Sequence, residues 1–169
     1  MKNITVATKE GEGYYNILVE SCKRNNIELV VLGLGMKWTG FTMRFKLWLD
    51  YLNNLDDNEI VMINDAYDVV ITEEASVIEH RFKEFNKKVV FGTQDSLMSN
   101  LVFSKCMNTI LCCGNMIGYV KYLKIIINMF YKYKELWIKY NNDDQLVLND
   151  ICNKNPFFRE IVGADIKRN

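Results

Sequence analysis

Residues 59–68 read EIVMINDAYD, an apolar run that passes directly into two aspartates. The segment from Glu59 to Ile63 has the length and the β-favouring composition of a buried strand. The acidic turn that follows, residues 65–68, therefore comes at the carboxyl end of that strand. In open α/β sheets this is the edge at which ligands bind.

The chain on both sides of this segment alternates between strand and helix patterns. Strands are predicted for residues 4–7, 27–32, 59–63 and 88–91, and helical stripes of apolar residues for 14–22, 45–52 and 75–85. This alternation is typical of an α/β domain with an open, mostly parallel sheet flanked by helices. In the less regular second half, the patterns predict one or two strands in 110–120, a long helix over 121–140 and a last helix capped by Asn142.

The composition argues against several classes of protein. The 169 residues are 49% hydrophobic and 25% charged, so wholesale disorder is not expected. Twenty-one basic residues balance twenty-one acidic ones, and the basic stripe of a nucleic-acid binder is missing. Lys9 and Glu10 end the amino-terminal apolar run too early for a secretory signal, and no uncharged run reaches the ~20 apolar residues of a membrane helix. We therefore expect neither a nucleic-acid nor a membrane partner.

The cysteines bear on the expected location of the protein. There are five of them, an odd number, and their spacing matches neither a disulfide framework nor a zinc site. Buried, reduced thiols in a cytosolic protein are the favoured interpretation. The expected location is therefore the cytoplasm.

Asp65 and Asp68 form the first candidate site. Two carboxylates three positions apart at a strand end can converge on a divalent cation such as Mg²⁺ or Mn²⁺, which also takes water and substrate phosphates as ligands. Such a cation could neutralise a diphosphate leaving group during glycosyl or phosphoryl transfer. Tyr67, between the two aspartates, could stack on a nucleobase. The alternative is an ordinary acidic turn with an exposed tyrosine.

Two other segments carry weaker signals. Asp143 and Asp144 could hold a sugar hydroxyl or stabilise charge at an anomeric carbon, or they could serve only in capping a helix. The loop at residues 33–40, GLGMKWTG, matches neither the Walker A nor the dinucleotide-binding pattern. Its Trp38 could be a lid over a ligand or a surface anchor. The single histidine, His80, reads as an ordinary helix residue.

These segments occur together, and in order, in one known family. Over nearly its whole length the chain resembles the glycosyltransferase domain of procollagen lysyl hydroxylases and related collagen hydroxylysine glycosyltransferases, which include members in large DNA viruses. The matching segments are Val6-Ala7-Thr8-Lys9, Gly33-Leu34-Gly35 with Trp38-Thr39-Gly40, Asp65-Ala66-Tyr67-Asp68-Val69, Val89-Val90-Phe91, Gly114-Asn115-Met116-Ile117-Gly118-Tyr119 and Asp143-Asp144-Gln145-Leu146. The resemblance rests on their order and spacing rather than on any one of them.

The resemblance implies a GT-A-like (Rossmann-like) fold, with residues 1–169 as a single glycosyltransferase domain that is short at its carboxyl end. The implied reaction transfers glucose or galactose from UDP-glucose or UDP-galactose, with Mn²⁺ or Mg²⁺, to hydroxylysine or galactosyl-hydroxylysine of a collagen-like protein. By this resemblance Asp65 and Asp68 hold the metal, and Asp143 and Asp144 are catalytic. The residues implied to bind the UDP-sugar are Val6, Ala7, Thr8, Trp38, Tyr67, Gly114 and Asn115. A viral source would place the protein in the host cytoplasm, and a homodimer is one assembly that the sequence leaves open.

The chain also departs from the family pattern. Ala164-Asp165-Ile166-Lys167 stands where the family has Leu-Asp-His-Lys, so Ile166 replaces the histidine that completes the metal site. Cys112-Cys113 replaces Asn-Ser, Leu97-Met98-Ser99 replaces a Cys-Trp-Pro, and the loop after Trp38 is shorter. Three interpretations stay open. The first is an active transferase whose metal is held by two aspartates, diphosphate and water. The second is a degenerate domain that binds nucleotide or a protein partner without catalysis, and the third is an unrelated α/β domain.

Overall fold

The computed structural model describes residues 1–94 and 96–166. Its centre is a six-stranded sheet, whose strands are β1 (Lys2–Val6), β2 (Glu28–Leu32), β3 (Ile60–Asn64), β4 (Val89–Thr93), β5 (Leu111–Tyr119) and β6 (Val162–Asp165). Their order across the sheet is β2-β1-β3-β5-β4-β6. Strand β1 pairs in parallel with β2 and β3, and β4 with β6, whereas β5 runs antiparallel to both β3 and β4. The predicted open, mostly parallel α/β sheet is confirmed.

Eight helices connect and cover these strands in the part of the chain that the structure describes. They are α1 (Tyr15–Arg24), α2 (Phe41–Leu52), α3 (Ala75–Glu84), α4 (Leu97–Val102), α5 (Val120–Lys132), α6 (Lys134–Lys139), α7 (Asp144–Lys154) and α8 (Pro156–Ile161). None of the helices within the described residues is long and apolar enough to cross a bilayer.

The sheet has an apolar core on each face, because successive side chains of a strand point in opposite directions. On β3, Ile63 packs in the larger core with α2, α5 and α7, whereas Met62 packs in a smaller one with residues of α1 and α3. Trp48 and Phe45 of α2 are almost fully buried in the larger core. Helix α2 is thereby held against the sheet beside the carboxyl end of β3.

The second half of the chain differs from the sequence-based prediction in two respects. The helix predicted over residues 121–140 is wrong, since α5 ends at Lys132 and α6 starts at Lys134, with the backbone of Tyr133 out of helical conformation (φ −96°, ψ 54°) between them. The region 110–120, predicted as one or two strands, is the single strand β5. The short elements α4, α8 and β6 were not predicted, because the two helices have six residues each, fewer than two helical turns, and β6 has only four.

The interpretation of all five cysteines as reduced thiols is also wrong. Cys106 and Cys152 form a disulfide that joins the segment before β5 to helix α7. Cys22 and Cys113 are free and buried, as expected, and Cys112 is free and half-buried. Disulfides persist in oxidising compartments. The bond therefore removes one argument for a cytoplasmic location, which stays a prediction.

Candidate active site

A cavity of about 540 Å³ lies at the carboxyl ends of β1 and β3, between the loops that follow them and helix α2. This cavity is lined by most of the residues that were predicted from the sequence to bind the donor or the metal: Val6, Thr8, Trp38, Asp65, Tyr67 and Asp68. Glu12, Phe41, Arg44, Trp48 and Ala66 complete the lining. Residues that are distant in the sequence thus meet at the sheet edge where α/β folds bind ligands.

The two aspartates of the acidic turn face this cavity together. Asp65 is anchored by its backbone amide, which donates to the carbonyl of Gly114 at 2.8 Å. Burial raises the pKa of the Asp65 carboxyl, the Arg44 guanidinium opposes that rise, and the negative charge of Asp68 adds to it. Both residues line the same cavity, so the two carboxylates are available to one ligand. Asp68 itself is exposed to solvent.

Because Gly114 has no side chain, the Asp65 carboxylate can lie directly against its backbone. A β-carbon built on Gly114 would lie 2.0 Å from Oδ2 of Asp65, well inside contact distance. Any side chain at this position would therefore displace the carboxylate. Gly114 itself does not line the cavity, so its predicted contact with the UDP-sugar stays a prediction.

Arg44 was missed by the sequence analysis, although it joins the two acidic segments. Its guanidinium donates to Oδ1 of Asp65 at 2.5 Å and also to Oδ2 of Asp144. The side chain is only 7% exposed and lies among the rings of Phe41, Phe45 and Trp48, with 5.0 Å to the Trp48 ring. A desolvated cation among aromatic faces gains cation–π attraction. Arg44 thus places a fixed positive charge between the carboxylates of Asp65 and Asp144.

A signal for Arg44 was present in the sequence. Helix α2 buries residues 43, 44, 45, 48 and 52, among which Arg44 is the charged member. Arginine is almost never buried unless it is paired. A basic residue on a core-facing helical stripe therefore predicts an acidic partner, even though it does not say which one.

Asp143 and Asp144 have different surroundings. Asp143, rather than the predicted Asn142, is the cap of α7, because its Oδ1 accepts from the amide of Leu146 at 2.9 Å. Asp144 is buried against Arg44, and burial raises the pKa of its carboxyl. Neither side chain lines the cavity of about 540 Å³. Their catalytic role stays a prediction.

Tyr67 is held in place through its hydroxyl group. The phenol oxygen accepts from the amides of Thr8 at 3.1 Å and Lys9 at 3.2 Å, and it donates to the carbonyl of Lys9 at 3.1 Å. Gly13 permits the close approach of the backbone behind it, since a β-carbon there would lie 2.4 Å from the carbonyl oxygen of Tyr67. The ring is therefore fixed in the cavity wall between the loops after β1 and β3.

Two other predicted donor-binding residues do not line this cavity. Ala7 is fully buried, with its amide bonded to the carbonyl of Leu32 at 3.0 Å, and it does not line the cavity. Asn115 lines a second cavity, on the other face of the sheet. The predictions that they bind the donor are untested.

The donor set at the cavity fits a hard divalent cation that is shared with a substrate. Within the described residues, no three His, Cys, Asp or Glu side chains form a group that could hold a metal by themselves. Mg²⁺ and Mn²⁺ need only one or two protein carboxylates when phosphate and water supply the remaining oxygens. Asp65 and Asp68 provide two. Ile166, in place of the family histidine, is exposed directly after β6 and offers no ligand atom, and Lys167 lies outside the described residues.

Comparison with known proteins identifies similar sequences. A family model described as the PLOD GT domain matches residues 1–155. The chain is 26% identical over 179 aligned positions to the human procollagen-lysine,2-oxoglutarate 5-dioxygenase 2, covering 96% of this chain and 23% of that protein. It is 33% identical over 104 positions to the Caenorhabditis elegans multifunctional procollagen lysine hydroxylase and glycosyltransferase, covering 54% of this chain and 14% of that protein. The chain thus spans less than a quarter of the length of these relatives.

The fold of this chain is similar to folds among the solved structures. The crystal structure of A197 from STIV superposes with a TM-score of 0.50 over 73% of this chain and 66% of that chain, at 16% sequence identity. At this level of identity the likeness concerns the fold alone.

Proposed function

The chain belongs to the family of PLOD GT domains, and on that premise we propose that it is a metal-dependent glycosyltransferase acting on collagen-like chains. The donor is UDP-glucose or UDP-galactose, and the acceptor is hydroxylysine or galactosyl-hydroxylysine. The observation that supports this most directly is the cavity in which Asp65, Asp68, Tyr67, Trp38 and Thr8 meet.

Each of these residues has a physical role in the proposal. Asp65 and Asp68 hold Mn²⁺ or Mg²⁺, which supplies positive charge to the diphosphate leaving group. Tyr67, fixed by its hydroxyl, presents its ring to the uracil base. Trp38, 43% exposed and in edge contact with Phe41 at 5.8 Å, lies where it can cover the bound donor.

The transfer itself makes one bond and breaks one. The bond from the anomeric carbon to the diphosphate oxygen breaks, and UDP leaves with the electron pair. The acceptor hydroxyl oxygen bonds to the anomeric carbon, and its proton passes to the carboxylate of Asp143. Asp143, at the amino-terminal end of α7, is the side chain that we assign to the sugar and acceptor hydroxyls, because the carboxylate of its neighbour Asp144 is already committed to Arg44.

One observation favours a second candidate, a domain that binds UDP without turnover. Arg44 already places a cation against Asp65, where it competes with a metal for the same carboxylate. Ile166 also gives the metal no third protein ligand. In this alternative the cavity binds the nucleotide but catalyses no transfer, and the buried Arg44 stabilises the fold.

Release of UDP separates the two candidates. The protein is incubated with UDP-glucose or UDP-galactose, with and without Mn²⁺ and a hydroxylysine-containing collagen-like peptide, and released UDP is measured. The transferase requires metal-dependent release that Asp65→Asn and Asp143→Asn abolish. Glu84→Gln, an exposed carboxylate on α3, is the matched control and should keep wild-type release.

The binding of UDP, measured in parallel by calorimetry, decides the remaining outcomes. Binding without release under any condition overturns the transferase and supports the non-catalytic domain. The absence of both binding and release overturns both candidates.

A further inference from the structure

The Asp65 carboxylate contacts a cation through one oxygen and lies against protein backbone with the other. The Arg44 guanidinium donates to its Oδ1 at 2.5 Å. Its Oδ2 lies so close to Gly114 that a β-carbon built there would be 2.0 Å away. The Asp65 side chain is nevertheless 40% exposed, and Arg44 lines the same cavity. A metal ion that binds Asp65 from the cavity must therefore share this carboxylate with the guanidinium.

Arg44 is held firmly in this position. It also donates to Oδ2 of Asp144, and both side chains of this pair are buried. The ring centroids of Phe41, Phe45 and Trp48 lie 5.2, 5.7 and 5.0 Å from the guanidinium carbon. If Arg44 moved away, the charge of Asp144 would stay buried without a partner, which destabilises the fold strongly. The guanidinium therefore keeps its place when a metal ion arrives.

The fixed guanidinium weakens the attraction of Asp65 for a second cation. Two positive charges that share one carboxylate repel each other. Because the Arg44 side chain is buried, water and salt screen this repulsion less than they would at an exposed ion pair. The guanidinium also offsets the negative charge of Asp65 before any metal binds. Asp65 is therefore a weaker metal ligand than a free carboxylate would be.

The other acidic residues of the cavity compensate for this only in part. Besides Asp65, the lining contains Glu12 and Asp68. The ammonium group of Lys9 lies 3.1 Å from the Glu12 carboxylate and offsets its charge. Asp68 is exposed, and in the described part of the chain no three His, Cys, Asp or Glu side chains are grouped so that they could hold a metal. A diphosphate group, by contrast, brings several negative charges and the oxygen ligands that Mg²⁺ and Mn²⁺ prefer.

We infer that Arg44 makes metal binding at this site conditional on the nucleotide. The metal alone binds weakly, because the guanidinium already offsets the charge of Asp65. It binds tightly once a diphosphate adds negative charge and further ligands, and by linkage metal and nucleotide raise each other's affinity by the same factor. Arg44 acts through Asp65 and is thus a positioning residue. The inference rests on the proposed function, since it requires a UDP site in this cavity, but it does not require turnover.

Direct binding of Mn²⁺ tests this inference without any transfer reaction. Mn²⁺ is titrated into the whole chain, with calorimetry and the electron paramagnetic resonance of the free ion as readouts. The titration is made with saturating UDP and with uridine, which lacks phosphate, and is corrected for the complex of Mn²⁺ with UDP measured without protein. The wild type should bind Mn²⁺ at least about tenfold more tightly with UDP than with uridine.

Two double variants separate the effect of Arg44 from net charge. Arg44→Met/Asp144→Asn removes one charge of each sign and frees Asp65 from the guanidinium. Mn²⁺ alone should therefore bind to it at least about tenfold more tightly than to the wild type, and the gain from UDP should shrink correspondingly. Lys46→Met/Asp50→Asn removes an exposed ion pair on the same helix, again without a change in net charge, and should bind Mn²⁺ as the wild type does.

A gain in metal affinity distinguishes this role from a purely structural one, since structural damage would weaken the site or leave it unchanged. Equal binding of Mn²⁺ by the wild type with UDP and with uridine overturns the inference, and so does the absence of a gain in Arg44→Met/Asp144→Asn. If that variant fails to fold, Arg44→Gln/Asp144→Asn, whose two amides can hydrogen-bond in the core, replaces it. Failure of the wild type to bind UDP overturns the proposed function together with the inference. Coupled binding without release of UDP overturns only the transferase.

Discussion

Replacing Arg44 with methionine should reduce the free energy of unfolding by about 3–5 kcal/mol. Methionine retains the apolar stem of arginine but leaves the carboxylate of Asp144, 7% exposed, without its cation. Removal of one partner from a buried ion pair typically costs about 3–5 kcal/mol, because the remaining charge stays desolvated. Asp65 adds less, since its side chain is 40% exposed and water can replace the guanidinium.

Equilibrium unfolding in urea measures this loss. With an m-value of about 2 kcal/mol/M, the transition midpoint of Arg44→Met should fall by about 2 M. Lys46→Met, two positions further along α2, is the matched control. It breaks an ion pair with Asp50 in which both side chains are exposed, so its cost should stay below about 1 kcal/mol.

The double variant Arg44→Met/Asp144→Asn tests the physical reason for the loss. Neutralising Asp144 removes the stranded charge, so the double variant should be more stable than Arg44→Met alone. The reasoning is refuted if Arg44→Met costs less than about 1 kcal/mol. It is equally refuted if the double variant gains nothing over the single one.

Three further predictions concern activity, pH and redox state. Gly114→Ala should lower UDP release about 10²-fold while the protein stays folded by circular dichroism, because its β-carbon displaces the Asp65 carboxylate; wild-type release would contradict this. Burial raises the pKa of Asp150, but hydrogen bonds from two lysines and a tyrosine outweigh it and lower the pKa. The ionised carboxylate of Asp150 therefore stabilises the fold above its ordinary pKa of 3.8, and this stabilisation is lost as the pH falls through the lowered pKa. At pH 7 the wild type should have a higher free energy of unfolding than Asp150→Asn, and in acid the two free energies should converge. Cys106→Ser, which opens the bond to Cys152, should cost about 2–4 kcal/mol in thermal unfolding, and dithiothreitol should then have no added effect on the variant.

The sequence allowed the first half of the fold to be predicted because short apolar runs alternate there with amphipathic helices of 10 or 12 residues. The segment 59–68 led to a strand, its exposed end and the acidic turn, all of which the structure contains. The second half depends on contacts that local patterns do not encode. The break at Tyr133 interrupts an amphipathic pattern that continues on both sides, and β6 is defined by its pairing with β4.

The candidate site shows the same division. Asp65, Asp68 and Tyr67 are adjacent in sequence, so their convergence followed from one turn. The ion pair between Arg44 and Asp144 could not be predicted in this way, because its partners are 100 residues apart and meet only through the packing of α2 and α7. The capping residue of α7 was misplaced by one position, which is the usual uncertainty at a helix end when Asn142 and Asp143 are both good caps.

The ion pair between Arg44 and Asp144 has a consequence for biosynthesis. A chain that is still on the ribosome carries Arg44 long before its buried partner on α7 has been made. Until that partner emerges, Arg44 has only the partly exposed carboxylate of Asp65 to offset its buried charge, so α2 packs less stably against the sheet. The cavity wall that contains Arg44 should therefore become stable only when nearly the whole chain has been made, and chains released before residue 144 should bind chaperones rather than persist as partly folded domains.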